Sequence, residues 1–186
     1  MLGKTEYHIT LLGDKKVGKT CLTKMYIQGK FDNEYFPTQE AEQFSVEKDD
    51  PFSLGKVKEF INDTSGEAKQ ITYKLFIKKA DAIILCYDAT NRDSFEHIET
   101  VWYPLIKELK KKDLILGIVS TNNEFDDLKK VKDEEGLNLA KKYEAIFYKV
   151  STSYEKEKVD KIFEKIGDLC LGVKDYIIPE RSEEKK

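Results

Sequence analysis

The sequence predicts an α/β fold, with a doubly wound, mostly parallel six-stranded sheet and one antiparallel edge strand. Short apolar runs rich in β-branched residues recur along the chain, as expected of strands that are buried on both faces. Amphipathic segments of helical length separate most of these runs, so strand and helix alternate. Two of the runs are joined by a turn-forming segment instead of a helix, which predicts one antiparallel pair at an edge.

The predicted elements follow the chain in a simple order. The expected strands cover residues 7–12, 44–47, 57–61, 82–87, 114–119 and 146–150, and a hairpin turn at 48–51 joins the second strand to the third. The expected helices cover residues 19–28, 68–79, 94–110, 133–143 and 156–171. In such a sheet, ligands bind beside the carboxyl ends of the strands, and the motifs discussed below all follow predicted strands.

Length and composition indicate one globular domain. The chain has 186 residues, of which 40% are hydrophobic and 11% aromatic, so it can bury a core without disulfides. Cys21, Cys86 and Cys170 lie far apart without C-x-x-C spacing, which predicts free thiols in a reducing compartment. We expect residues 1–172 to form the domain and residues 173–186 a charged, disordered tail.

Charge and targeting signals restrict the possible partners. Charged residues make up 36% of the chain but the net charge is only −3, so no basic face predicts nucleic-acid binding. No signal-peptide core and no apolar run near the roughly 20 residues of a membrane span are present, which predicts a cytoplasmic protein. The tail lacks a terminal prenylation box, so we expect no direct membrane anchor. Partners, or a further C-terminal segment, would then recruit the protein to membranes.

A glycine-rich loop follows the first predicted strand. Residues 13–20, GDKKVGKT, match G-x-x-x-x-G-K-[ST], in which backbone N–H groups surround nucleotide phosphates. The helix N-terminus and the Lys19 ammonium would converge on the same anionic group, and the Thr20 hydroxyl is placed for Mg²⁺. The structural alternative is a polar strand-to-helix turn with a solvated lysine. The expected phosphate contacts are Gly13, Lys15, Lys16, Val17, Gly18, Lys19, Thr20 and Cys21.

A second motif follows the third predicted strand. Asp63-Thr64-Ser65-Gly66 is a D-x-x-G sequence, whose carboxylate would serve Mg²⁺ and whose glycine N–H would serve a γ-phosphate. The pattern is weak alone, and its spacing, about 43 residues beyond Thr20 with residues 31–38 between, gives it weight.

With FDNEYFPT at 31–38 and YDATNRDSF at 87–95, these motifs resemble those of the Ras-superfamily small GTPases, particularly the Rab and Ras branches, over about residues 5–171. The resemblance implies a small P-loop G domain that binds GTP and GDP with Mg²⁺ and hydrolyses GTP slowly. Its switch loops would select effector proteins, in vesicle traffic or signalling, and exchange and activating proteins would be further partners. The Rho branch is disfavoured because residues 126–152 leave no room for its extra helix.

The resemblance assigns roles to the segment between the two loops. Phe31 would stack edge-on against guanine, and Tyr35 would close over the phosphates. Thr38 would bind Mg²⁺ through its hydroxyl and the γ-phosphate through its N–H, so the implied metal ligands are Thr20, Thr38 and Asp63. As alternatives, both aromatic rings are ordinary core or surface residues.

The expected base-binding loop follows the fifth strand, where the family has N-K-x-D. The register we assign takes Asn123 and Asp126, whose carboxylate would accept the N1 and N2 protons of guanine. Glu124 replaces the lysine of the motif, and an ordinary acidic loop is the alternative for this segment. The S-A-K element falls at residues 152–154, where the backbone amides of Thr152 and Ser153 would reach guanine O6 and Tyr154 replaces the lysine.

Several departures affect catalysis. Glu67 stands where the family has a water-orienting glutamine; with Lys19 it forms the expected catalytic pair. Lys15 and Lys16 replace small residues, so Lys15 would crowd an arginine finger and the backbone of Lys16 would be strained wherever the loop requires glycine. Ala68 replaces an acidic residue used in assisted exchange. These departures can change intrinsic hydrolysis in either direction, and the leading hypothesis is a GTPase with weak intrinsic activity.

Two other functions compete with the switch. A pseudo-GTPase would keep the fold as a binding module without cycling between GTP and GDP, and a different P-loop NTPase or small-molecule kinase is a more distant alternative. The other conspicuous residues have structural interpretations: no partner is evident for His8 or His97, and Trp102 lies on an apolar helix stripe.

Overall fold

One mixed sheet forms the centre of the protein. The computed structural model describes residues 4–30, 41–66, 70–109, 113–151 and 155–173. The sheet order is β2-β3-β1-β4-β5-β6, with β2 antiparallel to β3 and all other neighbours parallel. This architecture confirms the predicted fold class. The strands are β1 (Glu6–Leu12), β2 (Glu42–Asp49), β3 (Lys56–Asp63), β4 (Ala82–Asp88), β5 (Ile115–Thr121) and β6 (Ile146–Lys149).

The helices cover both faces of this sheet. Two of them, α1 and α6, have the predicted bounds, and a short 3-10 turn covers Asp126–Leu128. The predicted tail lies almost entirely outside the described residues and stays a prediction. The helices are α1 (Lys19–Gln28), α2 (Gln70–Lys79), α3 (Arg92–His97), α4 (Tyr103–Leu109), α5 (Asp133–Lys142) and α6 (Lys156–Leu171).

The hairpin turn lies later than predicted. β2 pairs with β3 as far as Asp49 opposite Lys56, so the connection covers residues 50–55 and not 48–51. The Asp50 carboxylate accepts hydrogen bonds from Phe52 N at 2.9 Å and Ser53 Oγ at 2.6 Å. These hydrogen bonds to the Asp50 side chain stabilise a turn that begins at Asp50, so the strand continues up to it.

The predicted helix at 94–110 is interrupted. It begins at Arg92, where the Asn91 side chain caps α3, and a π-helical turn over Ile98–Trp102 separates α3 from α4. Tyr103 N donates to Ile98 O across this turn. The wider turn keeps Ile98, Trp102 and Ile106 buried on one face. It therefore rotates the Trp102 side chain relative to α3 without exposing the core.

Two apolar layers hold the sheet between the helices. In β4, Ala82, Ile84 and Cys86 join the layer beneath α1 and α6, whereas alternate residues join the layer beneath the other helices. The three cysteines are free, as predicted, and burial raises the pKa of Cys86 to about 12. Within the described ranges, no helix combines the length and apolar character that a membrane crossing requires.

Gly136 lets α5 approach the sheet closely. A Cβ at this residue would lie 2.6 Å from Phe147 Cε2 and would overlap the Tyr87 hydroxyl. We expect Gly136→Ala to lower the free energy of unfolding by about 1–2 kcal/mol, since overpacking outweighs the gain of about 1 kcal/mol in helix propensity. Urea unfolding measures this loss. Asn138→Ala, at an exposed residue of the same helix, is the control, and an unchanged midpoint for Gly136→Ala would contradict the close packing.

Candidate functional site

The loop at 13–18 joins β1 to α1 through two glycines that no other residue replaces easily. Gly13 has φ 144°, and a Cβ there would overlap the Cys86 carbonyl oxygen. Gly18 has φ 84° and caps α1. A close approach to β4 and a left-handed turn thus give the loop its shape.

The backbone conformation of Lys16 confirms the strain expected at this position of the loop. Its φ of 63° lies in the left-handed region, which costs a non-glycine residue about 1 kcal/mol or more. Lys15 and Lys16 are both exposed, so two cationic residues lie on the outside of the loop. The loop therefore carries strain and positive charge together.

The ammonium of Lys19 folds over the loop. Nζ donates to Gly13 O at 2.8 Å and Asp14 O at 2.7 Å, and the residue is only 5% exposed. Burial lowers its pKa, although the charges of Asp63 and Asp14 oppose this. The ammonium is thus held by backbone carbonyls that an anionic ligand can replace.

Asp63 is the most informative acidic residue of the site. It is fully buried, and within the described part of the chain neither carboxylate oxygen has a hydrogen-bond partner. Burial raises its pKa to about 6, while the nearby Thr20 hydroxyl and the Lys19 charge oppose this rise. Because a buried carboxylate with unsatisfied oxygens is costly, this environment suits a cation. Asp63 and Thr20 therefore fit Mg²⁺.

The D-x-x-G segment lies directly against the loop at 13–18, which is the predicted phosphate loop. Thr64 Oγ1 donates to Leu11 O at 2.7 Å, and a Cβ on Gly66 would lie 2.5 Å from Lys15 Cα. The structure therefore brings together the two motifs that the sequence places at separate strand ends.

Asn123 binds the protein backbone. Its Nδ2 donates to Ser120 O at 2.7 Å and Val150 O at 3.3 Å, while its own N–H reaches Val150 O at 3.5 Å. Asn123 thereby ties the end of β5 to the segment after β6. This bonding supports the loop, and a direct contact between Asn123 and a base stays a prediction.

Asp126 lies on the surface. Its side chain is 82% exposed and its Oδ1 lies 2.7 Å from Lys129 Nζ, a contact that lowers the pKa of Asp126. Glu124, two residues earlier, is partly buried and its Oε2 is shielded from solvent. Glu124 is thus the better enclosed acid of this loop, and pairing of Asp126 with a base stays a prediction.

Thr121 is a site residue that the sequence analysis missed. Its Oγ1 lies 2.9 Å from Val17 O and 3.0 Å from Tyr87 O, so its hydroxyl joins the phosphate loop, β4 and β5. Thr121 and Glu124 have the same three-residue spacing as Asn123 and Asp126. The two registers differ in where β5 is taken to end. The predicted strand ended at residue 119, whereas β5 ends two residues later, at Thr121.

His97 has a partner, contrary to the sequence interpretation. Its Nδ1 lies 2.5 Å from Asp14 Oδ2, and Trp102 Nε1 donates to Asp14 Oδ1 at 2.9 Å. Trp102 is buried, as predicted, and it also bonds the phosphate loop. The π-helical turn, which local periodicity does not indicate, makes this contact possible.

Six predicted site residues lie outside the described residues, and their roles stay predictions. They are Phe31, Tyr35, Thr38, Glu67, Thr152 and Ser153.

Comparisons with known proteins identify the class to which this sheet and loop belong. A family model described as the Ras family matches residues 8–171, and the chain belongs to this family. It is similar to the GTP-binding protein Rit1 of Mus musculus, with 27% identity over 85% of this chain and 71% of that protein. It also resembles the GTP-binding protein RHO4 of Saccharomyces cerevisiae, with 30% identity over 86% of this chain and 56% of that protein. The Ras-related protein Rab-24 of Dictyostelium discoideum is 31% identical over 90% of this chain and 82% of its own length. Because these identities are similar, they do not assign the chain to one branch of the family.

Proposed function

We propose that this Ras-family protein is a molecular switch that binds GTP and GDP with Mg²⁺ and hydrolyses GTP slowly. The observation that carries the proposal is Asp63, a buried carboxylate with unsatisfied oxygens beside Thr20 and the Lys19 loop. A polar strand-to-helix turn has no need of such a carboxylate. Membership of the Ras family supports guanine nucleotide as the ligand.

Different residues of this chain would bind different parts of the ligand. Thr20 and Asp63 would hold Mg²⁺, together with the predicted Thr38, and the metal would neutralise phosphate charge. Lys19 would exchange its carbonyl partners for phosphate oxygens. Since Gly66 lies against Lys15, its N–H would sense a terminal phosphate at the loop. Binding would then change the D-x-x-G segment and the predicted switch loop together.

Slow hydrolysis follows from the residues at the water position. The predicted Glu67 carboxylate accepts a proton from water, but it does not donate to a phosphate oxygen and is repelled by phosphate charge. Lys15 lies against Gly66, the residue before Glu67, and would crowd an arginine finger there. Effectors would read the switch loops, with exchange and activating proteins as further partners, in a cytoplasmic role in vesicle traffic or signalling.

Base selectivity would depend on Glu124 in this chain. The side chain is partly buried three residues beyond Thr121, which bonds the phosphate loop at Val17. A carboxylate there accepts both the N1 and N2 protons of guanine, whereas adenine leaves it unpaired. The competing register keeps Asp126 in this role.

The nucleotide that leaves the denatured protein tests the function. Chromatography identifies any released nucleotide, and GTP loaded with Mg²⁺ is then followed over time. Guanine nucleotide with slow conversion of GTP to GDP is the expected result. GTP that persists unchanged would support the pseudo-GTPase module, and adenine nucleotide alone would overturn the switch in favour of another P-loop enzyme.

A further inference from the structure

We propose that Trp102 and Tyr73 are positioning residues that couple the D-x-x-G segment to the phosphate loop through protein contacts alone. The inference concerns the proposed nucleotide site and rests on it for its functional consequence. The contacts themselves belong to the described chain and involve no ligand. They join segments that are distant in sequence, with Asp14 and Trp102 separated by 88 residues.

The first half of the coupling holds the phosphate loop. The Asp14 carboxylate accepts the indole N–H of Trp102 at 2.9 Å and meets His97 Nδ1 at 2.5 Å. Asp14 follows Gly13 directly, and its carbonyl oxygen also accepts from Lys19 Nζ. A hydrogen bond to a charged acceptor is stronger than a neutral one. Any shift of Trp102 therefore acts on the residue that holds the lysine ammonium.

The second half holds the D-x-x-G segment. The Tyr73 hydroxyl, on α2, donates to Ser65 O, the carbonyl immediately before Gly66. The Tyr73 ring meets the Trp102 ring edge to face, with centroids 5.1 Å apart and an interplanar angle of 75°. Both rings are only 6% exposed. This packing is a favoured aromatic geometry in a site closed to water, so the two rings constrain each other.

These contacts link the movement of the D-x-x-G segment to that of the phosphate loop. If Ser65 moves, Tyr73 must lose its hydrogen bond or move its ring against Trp102. If Trp102 moves, Asp14 loses a donor and the phosphate loop loses a support. A change at the D-x-x-G segment would thus alter how firmly the phosphate loop holds its ligand.

Two variants each remove one polar contact and keep an aromatic side chain; Tyr73→Phe keeps the same ring, whereas Trp102→Phe puts a smaller ring in place of the indole. Tyr73→Phe removes the bond to Ser65 O, and Trp102→Phe removes the bond to Asp14. Tyr143→Phe is the control, because it removes a partly buried hydroxyl bond of the same kind, to Glu99 Oε1 at 2.7 Å, that involves neither Ser65 nor Asp14. Melting temperatures of the three variants report any general loss of stability.

Hydrogen exchange of the purified full chain, followed by mass spectrometry, tests the coupling without added nucleotide. Tyr73→Phe should speed exchange in the phosphate loop, and Trp102→Phe should speed it in residues 63–66, each by about three- to tenfold. Tyr143→Phe should change neither segment. If each variant affects only the loop that it touches, or lowers the melting temperature without a crossed effect, the coupling is overturned.

Dissociation of a fluorescent GDP analogue gives the functional readout. Both variants should release it about five- to tenfold faster than the unaltered protein, and Tyr143→Phe should leave the rate unchanged. Failure of the unaltered protein to bind the analogue would remove the proposed switch, whereas the crossed hydrogen exchange would still decide the coupling. Unchanged release rates in both variants would contradict its role in nucleotide binding.

Discussion

Replacing Lys19 by alanine is expected to weaken Mg²⁺–GTP binding by about a hundredfold or more. Hydrogen bonds to charged groups contribute about 1.5–3 kcal/mol each, and a lysine in this loop makes more than one with phosphate. The ammonium is already buried and held at 2.8 Å from Gly13 O and 2.7 Å from Asp14 O. Little side-chain freedom is therefore left to lose on binding. Equilibrium titration with a fluorescent nucleotide measures the change.

Lys15→Ala and Lys16→Ala are the matched controls. Both lysines lie in the same loop but are exposed, so each should change affinity by less than about fivefold. Lys19→Ala also removes the donor to two carbonyls, so thermal unfolding of each variant without nucleotide separates loss of folding from loss of binding. Normal affinity in a folded Lys19→Ala protein would remove the phosphate-loop assignment.

Local patterns are sufficient to predict the proposed phosphate-binding half of the site, because its chemistry is carried by neighbouring residues. Gly13, Gly18 and Lys19 belong to one short loop, and Asp63 follows a strand whose apolar run is clear in the sequence. The parallel sheet then places both strand ends at one edge. The fold class and most helix bounds were predictable for the same reason, since alternating strands and amphipathic helices give a strong periodic signal.

The base-binding half depends on the exact end of one strand. Local apolar character fades after Val119, which predicted the end of β5 there, yet Ser120 and Thr121 still pair with β4. Thr121 stays in the sheet because its hydroxyl bonds Val17 O and Tyr87 O, contacts with distant parts of the chain. A polar residue held by long-range bonds leaves no local signal. The predicted and observed ends of β5 differ by two residues. The register of Asn123 and Asp126 differs from that of Thr121 and Glu124 by the same two residues.

The contact of Asp14 with His97 and Trp102 was unpredictable for a related reason. Amphipathic spacing predicts a continuous helix at 94–110, whereas the π-helical turn over Ile98–Trp102 changes which side chains point towards the phosphate loop. Partners separated by 83 and 88 residues have no sequence spacing that identifies them. Only the packed structure shows that a residue interpreted as core also bonds the site.

Glu124→Gln is expected to reverse the base preference, from guanine towards xanthine. In the proposed register the Glu124 carboxylate would accept the N1 and N2 protons of guanine, whereas an amide of the same shape presents one acceptor and one donor. That pair matches the N1–H and O2 of xanthine and leaves guanine with opposed donors. Since an unpaired polar group at a buried edge is costly, GDP affinity should fall by about a hundredfold and xanthosine diphosphate affinity should rise.

Asp126→Asn is the control that distinguishes the two registers. Its side chain is 82% exposed and pairs with Lys129, so we expect GDP and xanthosine diphosphate affinities to change by less than about threefold. Competition of both nucleotides against a fluorescent GDP analogue, with each variant, measures this. A reversal with Asp126→Asn and none with Glu124→Gln would return base recognition to Asp126. That result would require the loop after Thr121 to reorganise when nucleotide binds, because the described loop directs Asp126 into solvent and shields Glu124 Oε2.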